Sequence, residues 1–581
     1  MKRISSIFLL LWAFLSLSAT TREVKLKLIE TSDIHGNFFP YNFITQQDWN
    51  GSFARVYTYV QQERQTYGDN LLLMDNGDIL QGQPSAYYYN FMDTVSTHIT
   101  AAMMNYMGFV VGNMGNHDVE AGHTVYDRWI KQCNFPILGA NIIRTSDGQP
   151  YLKPYEIIER DGIKIAVLGM ITPAIPTWLP ETLWKGLSFA DMEQTARKWI
   201  PIIQEKEKPD VVIGLFHAGK EARTVAGKEA RTVAGKYRED ASAEIAERIP
   251  GFDIIMMGHD HRRFCGKIAN AQGDSVLLIN PVNNGRTVGD IEICLTVDGD
   301  KVVRKSIQGT LTDMDKLQPS QEFMAQFTPQ YQAVKTFVSE KVGTFTETIS
   351  TRPAYFGPSA FIDFIHSLQL DLTGADISFA APLSFDAEIK EGDIRISDMF
   401  NLYKYENMLY TMELTGKEIK GFLEESYAIW TNQMQSANDH LLLLTERKDG
   451  NGYTFTNPSF NFDSAAGIIY TVDVTKPAGQ KITIQSLANG EPFDLNKTYR
   501  VALNSYRGNG GGELLTKGAG IPQDQLKDRI VNATEKDLRY YMIQYIKDKK
   551  TLSPQPLNQW KMIPEAWTQK AAERDAKLLF E

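Results

Sequence analysis

The stretch Val110–Gly122, VVGNMGNHDVEAG, sets a neutral amide, an imidazole and a carboxylate (Asn116, His117, Asp118) in a row directly after an apolar run. A short apolar run bounded by turn formers reads as a buried strand. One polar residue at its end would be a cap or a turn; three in succession point to a site. The same form recurs in VKLKLIETSD, NLLLMDNGD, IKIAVLGMIT, DVVIGLFHAG and FDIIMMGHDH, all between residues 24 and 295. Amphipathic segments separate these runs, and such alternation argues for an α/β domain with a buried sheet. Five of the six runs end in Asp, Asn or His. Ligand sites of α/β sheets lie beyond the carboxyl ends of the strands, so these side chains are expected to converge on one crevice.

At 581 residues the chain is too long for one core, and two to four domains are expected. Hydrophobic residues make up 43% and charged residues 22%, an ordinary globular profile. The formal charge is −10 with both signs mixed, and the absence of a Lys/Arg block argues against a polynucleotide or an anionic membrane surface as partner. Lys2 and Arg3 precede IFLLLWAFLSLSAT, which ends in small residues near Ala19, the form of a secretory leader. An uncleaved anchor is the alternative, but the run is short for a span and no other stretch approaches about 18 apolar residues. No cysteine follows the run, which argues against a lipoprotein; the mature chain is expected to be exported, periplasmic and free of membrane insertion. Cys133, Cys265 and Cys294 form no CxxC pair and cannot build a disulfide framework; buried free thiols are the plainer reading.

From Leu317 to Val342 the pattern turns helical, with Pro329 expected to kink or split it. The division that follows is a leader at 1–20, a first domain at 21–316, a helical linker at 317–342, a second mixed domain at 343–565 and a helical tail at 566–581. Within the second domain Thr415 and Glu418 form a capping box that opens an amphipathic helix. KEARTVAG occurs twice in tandem, Lys220–Gly227 and Lys228–Gly235. Two copies make no repeat array, and a duplication in a surface loop is the plainer reading, since doubling a loop costs only about 0.6 kcal/mol. The duplication starts three residues after His217, at the rim of the expected crevice.

Of nine histidines, five sit at strand ends: His35, His117, His217, His259 and His261, with Asp33, Asp78, Asn116 and Asp118 among them. Asp33-x-His35 and His259-x-His261 each put two side chains on one face of an extended segment. Carboxylate oxygens with imidazole nitrogens and one amide suit Zn, Mn, Fe, Co or Ni rather than a thiolate-selected metal. Asp33, His35, Asp78, Asn116, His217, His259 and His261 are too many ligands for one ion; they suit two divalent ions sharing a carboxylate, as in phosphoester hydrolysis.

The ordered set DIHG, GD, GNHD, FHAG, GHDH resembles the calcineurin-like metallophosphoesterase family. The resemblance implies a four-layer α/β sandwich in which Asp33, His35, Asp78 and His261 hold one metal, Asp78 bridges, and Asn116, His217 and His259 complete the second. It implies that a hydroxide held between the metals attacks phosphorus in line. It also puts His117 over the substrate phosphate, oriented by an acid that is either Glu120 or the adjacent Asp118. As imidazolium, His117 would stabilise phosphoryl charge and protonate the leaving oxygen.

GDIRISDMFNLYKYENMLYTMELTGKEIKGFLEES and TYRVALNSYRGNGGGELL resemble the mixed α+β C-terminal domain of bacterial 5'-nucleotidases and of 2',3'-cyclic-nucleotide 2'-phosphodiesterase/3'-nucleotidases. There two aromatic side chains sandwich the base; motif matching puts them at Tyr405, with Tyr403 as rival, and at Tyr506, with Asn407 alongside. Base stacking of this kind tolerates any base. Many 5'-nucleotidases carry NGGGIR where this chain has SFAAPLSFDAEI, without arginine or a glycine run, which favours the cyclic phosphodiesterase group. A 5'-nucleotidase/UDP-sugar hydrolase on the same scaffold is the alternative. A non-catalytic nucleotide-binding surface protein and an organic phosphatase without base preference stand behind it.

Overall fold

The computed structural model describes residues 21–221, 232–233, 237–447, 450 and 452–581. The expected leader at 1–20 lies outside these residues, as does the KEARTVAG tandem apart from Lys220, Glu221, Thr232 and Val233. Among the described residues no helix is long and apolar enough to cross a membrane.

The first domain is built on two six-stranded sheets. One has the order β12-β11-β1-β2-β3-β4, with β1 (Arg22–Thr31), β2 (Leu71–Asp75), β3 (Phe109–Asn113) and β4 (Ile137–Leu138) parallel. Its other edge is the antiparallel pair β11 (Thr287–Asp298) and β12 (Lys301–Asp313). The second sheet contains β5 (Tyr155–Arg160), β6 (Ile163–Ile171), β7 (Val211–His217), β8 (Ile254–Met257), β9 (Arg263–Ala269) and β10 (Ser275–Pro281) in the order β9-β10-β8-β7-β6-β5. Leu26, Leu28, Leu72 and Met74 of the first sheet share one buried cluster with Val167, Ile213, Leu215 and Met256 of the second. Helix α1 (Phe53–Tyr67) covers the outer face of the first sheet. Helices α2 (Met192–Lys206) and α3 (Ser242–Arg248) cover that of the second. Central strands covered on both faces need apolar residues at every position, hence the unbroken apolar runs in the sequence. The order helix, sheet, sheet, helix is the expected four-layer sandwich.

All three cysteines are free thiols, but none is fully buried, and Cys265 is exposed. It stands on edge strand β9, where exposed and half-buried residues alternate, so the expectation of buried thiols is corrected.

The segment after β12 forms α4 (Gln321–Gln326) and α5 (Thr328–Ser339), and Pro329 sits in the first turn of α5 rather than in a helix interior. At that position its missing N–H is no loss, so it starts a helix instead of kinking one. The second domain carries a five-stranded sheet, β15-β13-β16-β14-β17, with β13 (Ile377–Ala380), β14 (Met408–Thr415), β15 (Ser464–Ala466), β16 (Thr498–Asn504) and β17 (Ile530–Asp537). After β14, Thr415 Oγ1 accepts the Glu418 N–H at 3.3 Å and the Glu418 carboxylate returns a 2.7 Å bond to the Thr415 N–H. The terminal helix Glu565–Phe580 is docked: buried Asp575 accepts the Leu441 and Leu442 N–H groups and pairs with His440 at 2.6 Å.

A single apolar cluster runs from the outer face of the first sheet through α5 into the second domain, joining Phe53, Tyr87, Phe337, Phe400 and Leu538. Arg539, with no exposed surface, lies over the rings of Phe400 (4.0 Å) and Tyr87 (5.0 Å) and donates to Glu406 at 2.8 Å. Tyr87 of the first domain donates to Asp537 of the second at 3.2 Å. Removing the guanidinium leaves two buried carboxylates without their cation. Arg539→Ala is therefore expected to cost about 3–5 kcal/mol, read as a lower midpoint in urea unfolding.

Candidate active site

The strand ends place the chemistry. Beyond β1, the Asp33 N–H bonds the Gly77 carbonyl and the His35 N–H bonds that of Asp78, both at 2.9 Å, so the loops after β1 and β2 are joined. Asp33, His35, Asp78, His259 and His261 all have φ between +48° and +72°. Left-handed backbone is uncommon for side-chain-bearing residues, though Asp and His adopt it more readily than most, and it recurs at functional sites. The glycines of the motifs give room. A Cβ on Gly115 would lie 2.2 Å from Asp78 Oδ1, and one on Gly258 would lie 2.2 Å from Ser32 Oγ.

Two groups of donors result, Asp33–His35–His261 and Asp78–His217–His259, each with its ligand atoms within 4.8 Å of one another. His35 Nε2 stands 3.1 Å from His261 Nε2, which stands 3.2 Å from Asp33 Oδ1. His217 Nε2 lies 3.1 Å from both Asp78 Oδ2 and Asn116 Oδ1, and His259 Nδ1 lies 2.8 Å from the same Asn116 oxygen. A carbonyl only accepts, so His35 and His217 must donate Nδ1–H to the carbonyls of Gln81 (3.3 Å) and Asn76 (2.7 Å). Their Nε2 lone pairs then point inward. Burial holds His35 down to about 3, so it is neutral at physiological pH. Imidazole nitrogens and carboxylate oxygens this close fit a divalent cation. Burial pushes Asp78 up, but His217 and His117 hold it well below the usual carboxylate range.

His117 sits beside these groups, its Nδ1 donating to Glu120 at 2.5 Å. Burial disfavours its charge, yet Asp78 and Glu120 raise it to about 9. Asp118 takes a different part from the one held open for it. Its carboxylate, without exposed surface, accepts the N–H groups of Gly115 (2.8 Å), Asp78, Ile79 and Leu80 (2.9 Å each). Those bonds turn it away from His117, so Asp118 is corrected from candidate catalytic acid to a tie between loops.

The second domain faces this centre. Glu406 lines one small cavity with His117 and Glu120. Next to it in sequence, Tyr405 is half-buried and Asn407 is mostly buried. Tyr506 is half-buried, with Phe460 edge-on at 6.3 Å; its ring packs so close to the Gly511 backbone that a Cβ there would come within 2.5 Å. The rival Tyr403 is only 2% exposed and belongs to the core, which removes it as a base platform.

Sequence reasoning missed three groups. Glu239 Oε1 accepts from His259 Nε2 at 2.9 Å, and Trp178 stacks on the same imidazole at 5.6 Å. The third is Glu406. None belongs to the five metal-site motifs, and each reaches the site from a different element or domain.

Residues 26–263 match the family model of calcineurin-like phosphoesterases, and residues 341–517 match that of the 5'-nucleotidase C-terminal domain. The fold and its two halves define a two-domain metallophosphoesterase. The chain carries a calcineurin-like phosphoesterase domain followed by a 5'-nucleotidase C-terminal domain, and it is a metal-dependent phosphoester hydrolase. It is 28% identical over 606 residues to the trifunctional nucleotide phosphoesterase protein YfkN of Bacillus subtilis, spanning 94% of this chain but only 39% of that longer protein. It is 24% identical over 620 residues to the 2',3'-cyclic-nucleotide 2'-phosphodiesterase/3'-nucleotidase of Yersinia enterocolitica, covering 95% of this chain and 91% of the relative. The crystal structure of a 5'-nucleotidase precursor from Thermus thermophilus shares the fold at TM-score 0.61 and 19% identity, covering 93% of this chain and all of that one.

Asp118 and Glu120 are separable by experiment. Asp118→Ala leaves four buried N–H groups without an acceptor, each costing about 1–3 kcal/mol, and is expected to lower both stability and metal content. Glu120→Gln is expected to keep both and to lower kcat alone. Thermal unfolding with metal analysis of the two purified variants tells them apart.

Proposed function

We propose that this chain is an exported nucleotide phosphoesterase that opens 2',3'-cyclic nucleotides at the 2'-oxygen and then hydrolyses the 3'-nucleotide that remains. The observation that carries the reading is the convergence of seven donor side chains beside the His117–Glu120 pair. Asp33, His35 and His261 would hold one divalent ion and Asn116, His217 and His259 a second, with Asp78 shared between them; the donor chemistry suits the Zn, Mn, Co, Fe or Ni class. When bound, such ions supply Lewis-acid polarisation of phosphoryl oxygens and an activated water.

The chain's own residues do the rest. Glu120 engages Nδ1 of His117 and leaves Nε2 toward substrate. The raised affinity of His117 for its proton keeps the imidazolium loaded to stabilise phosphoryl charge and to protonate the leaving 2'-oxygen. Tyr405 and Tyr506 are suited to stack the base, with Asn407 at its edge. The Yersinia relative, matched over nearly its whole length, and the arginine-free stretch SFAAPLSFDAEI support the cyclic-nucleotide preference. The match to a 5'-nucleotidase C-terminal domain favours a second reading, hydrolysis of 5'-nucleotides or UDP-sugars. Lys2, Arg3 and the apolar run after them support export.

The test is kcat/KM of the metal-loaded protein for 2',3'-cyclic AMP, 3'-AMP, 5'-AMP and a nucleotide sugar. The first two are expected to lead; a dominant 5'-AMP with an inert cyclic compound overturns the preference. His117→Ala is expected to lower kcat by about 10²–10⁴ with metal content unchanged. Tyr506→Ala is expected to weaken nucleotide substrates by about 1–3 kcal/mol while leaving p-nitrophenyl phosphate untouched.

A further inference from the structure

Four histidines supply nitrogen to the two donor groups, and three have outer partners that are neutral amides. His35 and His217 donate to backbone carbonyls, and His261 Nδ1 meets the Asn283 side chain at 3.0 Å. His259 differs on two counts. It turns Nδ1 rather than Nε2 inward, and its outer nitrogen meets a charged group, Glu239 Oε1, at 2.9 Å. A flat ring such as Trp178, stacked on the imidazole at 29°, accepts either ring flip equally. One flip presents Nδ1 to Asn116 and the other presents a carbon. A directional acceptor on Nε2–H distinguishes them.

Glu239 is itself held in place. Its neighbour Asp240 accepts the Gly219 N–H at 2.5 Å, two residues beyond His217, and the Ala243 N–H bonds the Lys220 carbonyl at 2.8 Å. The chain that leaves the centre at His217 is thus pinned to the segment that returns at Glu239. One stem carries a ligand and the partner of another.

We propose that Glu239 is a positioning residue of the second donor group, its carboxylate fixing the His259 ring so that Nδ1 faces Asn116, His217 and Asp78. A carboxylate on the outer nitrogen also makes the imidazole a stronger base and a stronger ligand. The inference rests on the dimetal reading above and deepens it. Its consequence is that the stem closing the loop that contains the tandem KEARTVAG segment contributes to metal affinity, although it supplies no ligand after His217.

The full chain, stripped by a chelator, is titrated with Co²⁺ alone in the parent and in Glu239→Ala, Glu239→Gln and His259→Ala. Bound metal per chain is read by equilibrium dialysis and the cobalt absorption band. Thermal unfolding of each metal-free variant runs alongside. Glu239→Ala is expected to bind the second ion about 10–100-fold more weakly, with an unchanged metal-free unfolding temperature. Glu239→Gln, whose amide oxygen still accepts Nε2–H, is expected to recover most of the affinity. If Glu239→Ala binds two ions as tightly as the parent while His259→Ala loses one, the positioning role is overturned and the dimetal reading survives. If His259→Ala also binds like the parent, the dimetal reading falls and takes this inference with it. A lowered metal-free unfolding temperature, with Gln no better than Ala, makes Glu239 merely structural and overturns the proposal.

Discussion

Four backbone N–H groups converging on one buried carboxylate hold the centre together. Asp118 accepts from Gly115 in its own motif and from Asp78, Ile79 and Leu80 in the preceding loop. It thereby fixes the distance between the loops that carry Asn116 and Asp78. The loop after β1 is joined to the same segment through the carbonyls of Gly77 and Asp78. Three strand ends then move as one body, and the left-handed backbone at Asp33, His35 and Asp78 is held by bonds on both sides. Without that lock, side chains contributed by separate strands would have no fixed spacing.

The sequence made much of this legible because strand ends have a local signature. An apolar run followed by Asp, Asn or His announces both the strand and the residue beyond it, so the candidate donors at positions 33, 35, 78, 116, 217, 259 and 261 could be named one motif at a time. The roles of neighbours were less legible. Asp118 and Glu120 are both acids within three residues of His117, and only the path of the backbone separates them: the turn that starts the short helix Asn116–Glu120 points Asp118 at amides and brings Glu120 under the imidazole. Glu239 and Trp178 were not legible at all. Their partner His259 lies 20 residues from the one and 81 from the other, and no periodicity or spacing rule connects them.

On the proposed reading, the two domains divide the substrate between them. Every donor and the His117–Glu120 pair belong to the first, whereas Tyr405, Asn407 and Tyr506 belong to the second. What joins them is no flexible tether. The apolar cluster through α5 and the buried Arg539, held between Tyr87 of one domain and Phe400 and Glu406 of the other, make the interface part of the core. Glu406 links the two tasks: it pairs with Arg539 and adjoins Tyr405, and it lines the same small cavity as His117. A shift of the second domain would therefore change the surroundings of His117 and of Tyr405 together.

Charge explains why so acidic a centre can receive an anion. Behind the donors, burial pushes Asp75 up to about 8 and raises Glu30 well above the usual carboxylate range. Thr31 donates to the first at 2.6 Å and Asn76 to the second at 3.1 Å, hydroxyl and amide partners that carry no compensating charge. Asp75 is therefore largely protonated at neutral pH, and burial disfavours the charge of Glu30 beside it. Among the donors only Asp33 and Asp78 are anionic, and Asn116 occupies a place where a third carboxylate would be sterically acceptable. On the dimetal reading, two carboxylates against two divalent ions leave the centre net positive, which suits a phosphoester better than a neutral ester. A carboxylate at position 116 would bind metal more tightly and phosphate less well. The neutral amide in GNHD is thus a choice between ligand strength and substrate charge, and the buried acid Asp75 behind it serves the same end.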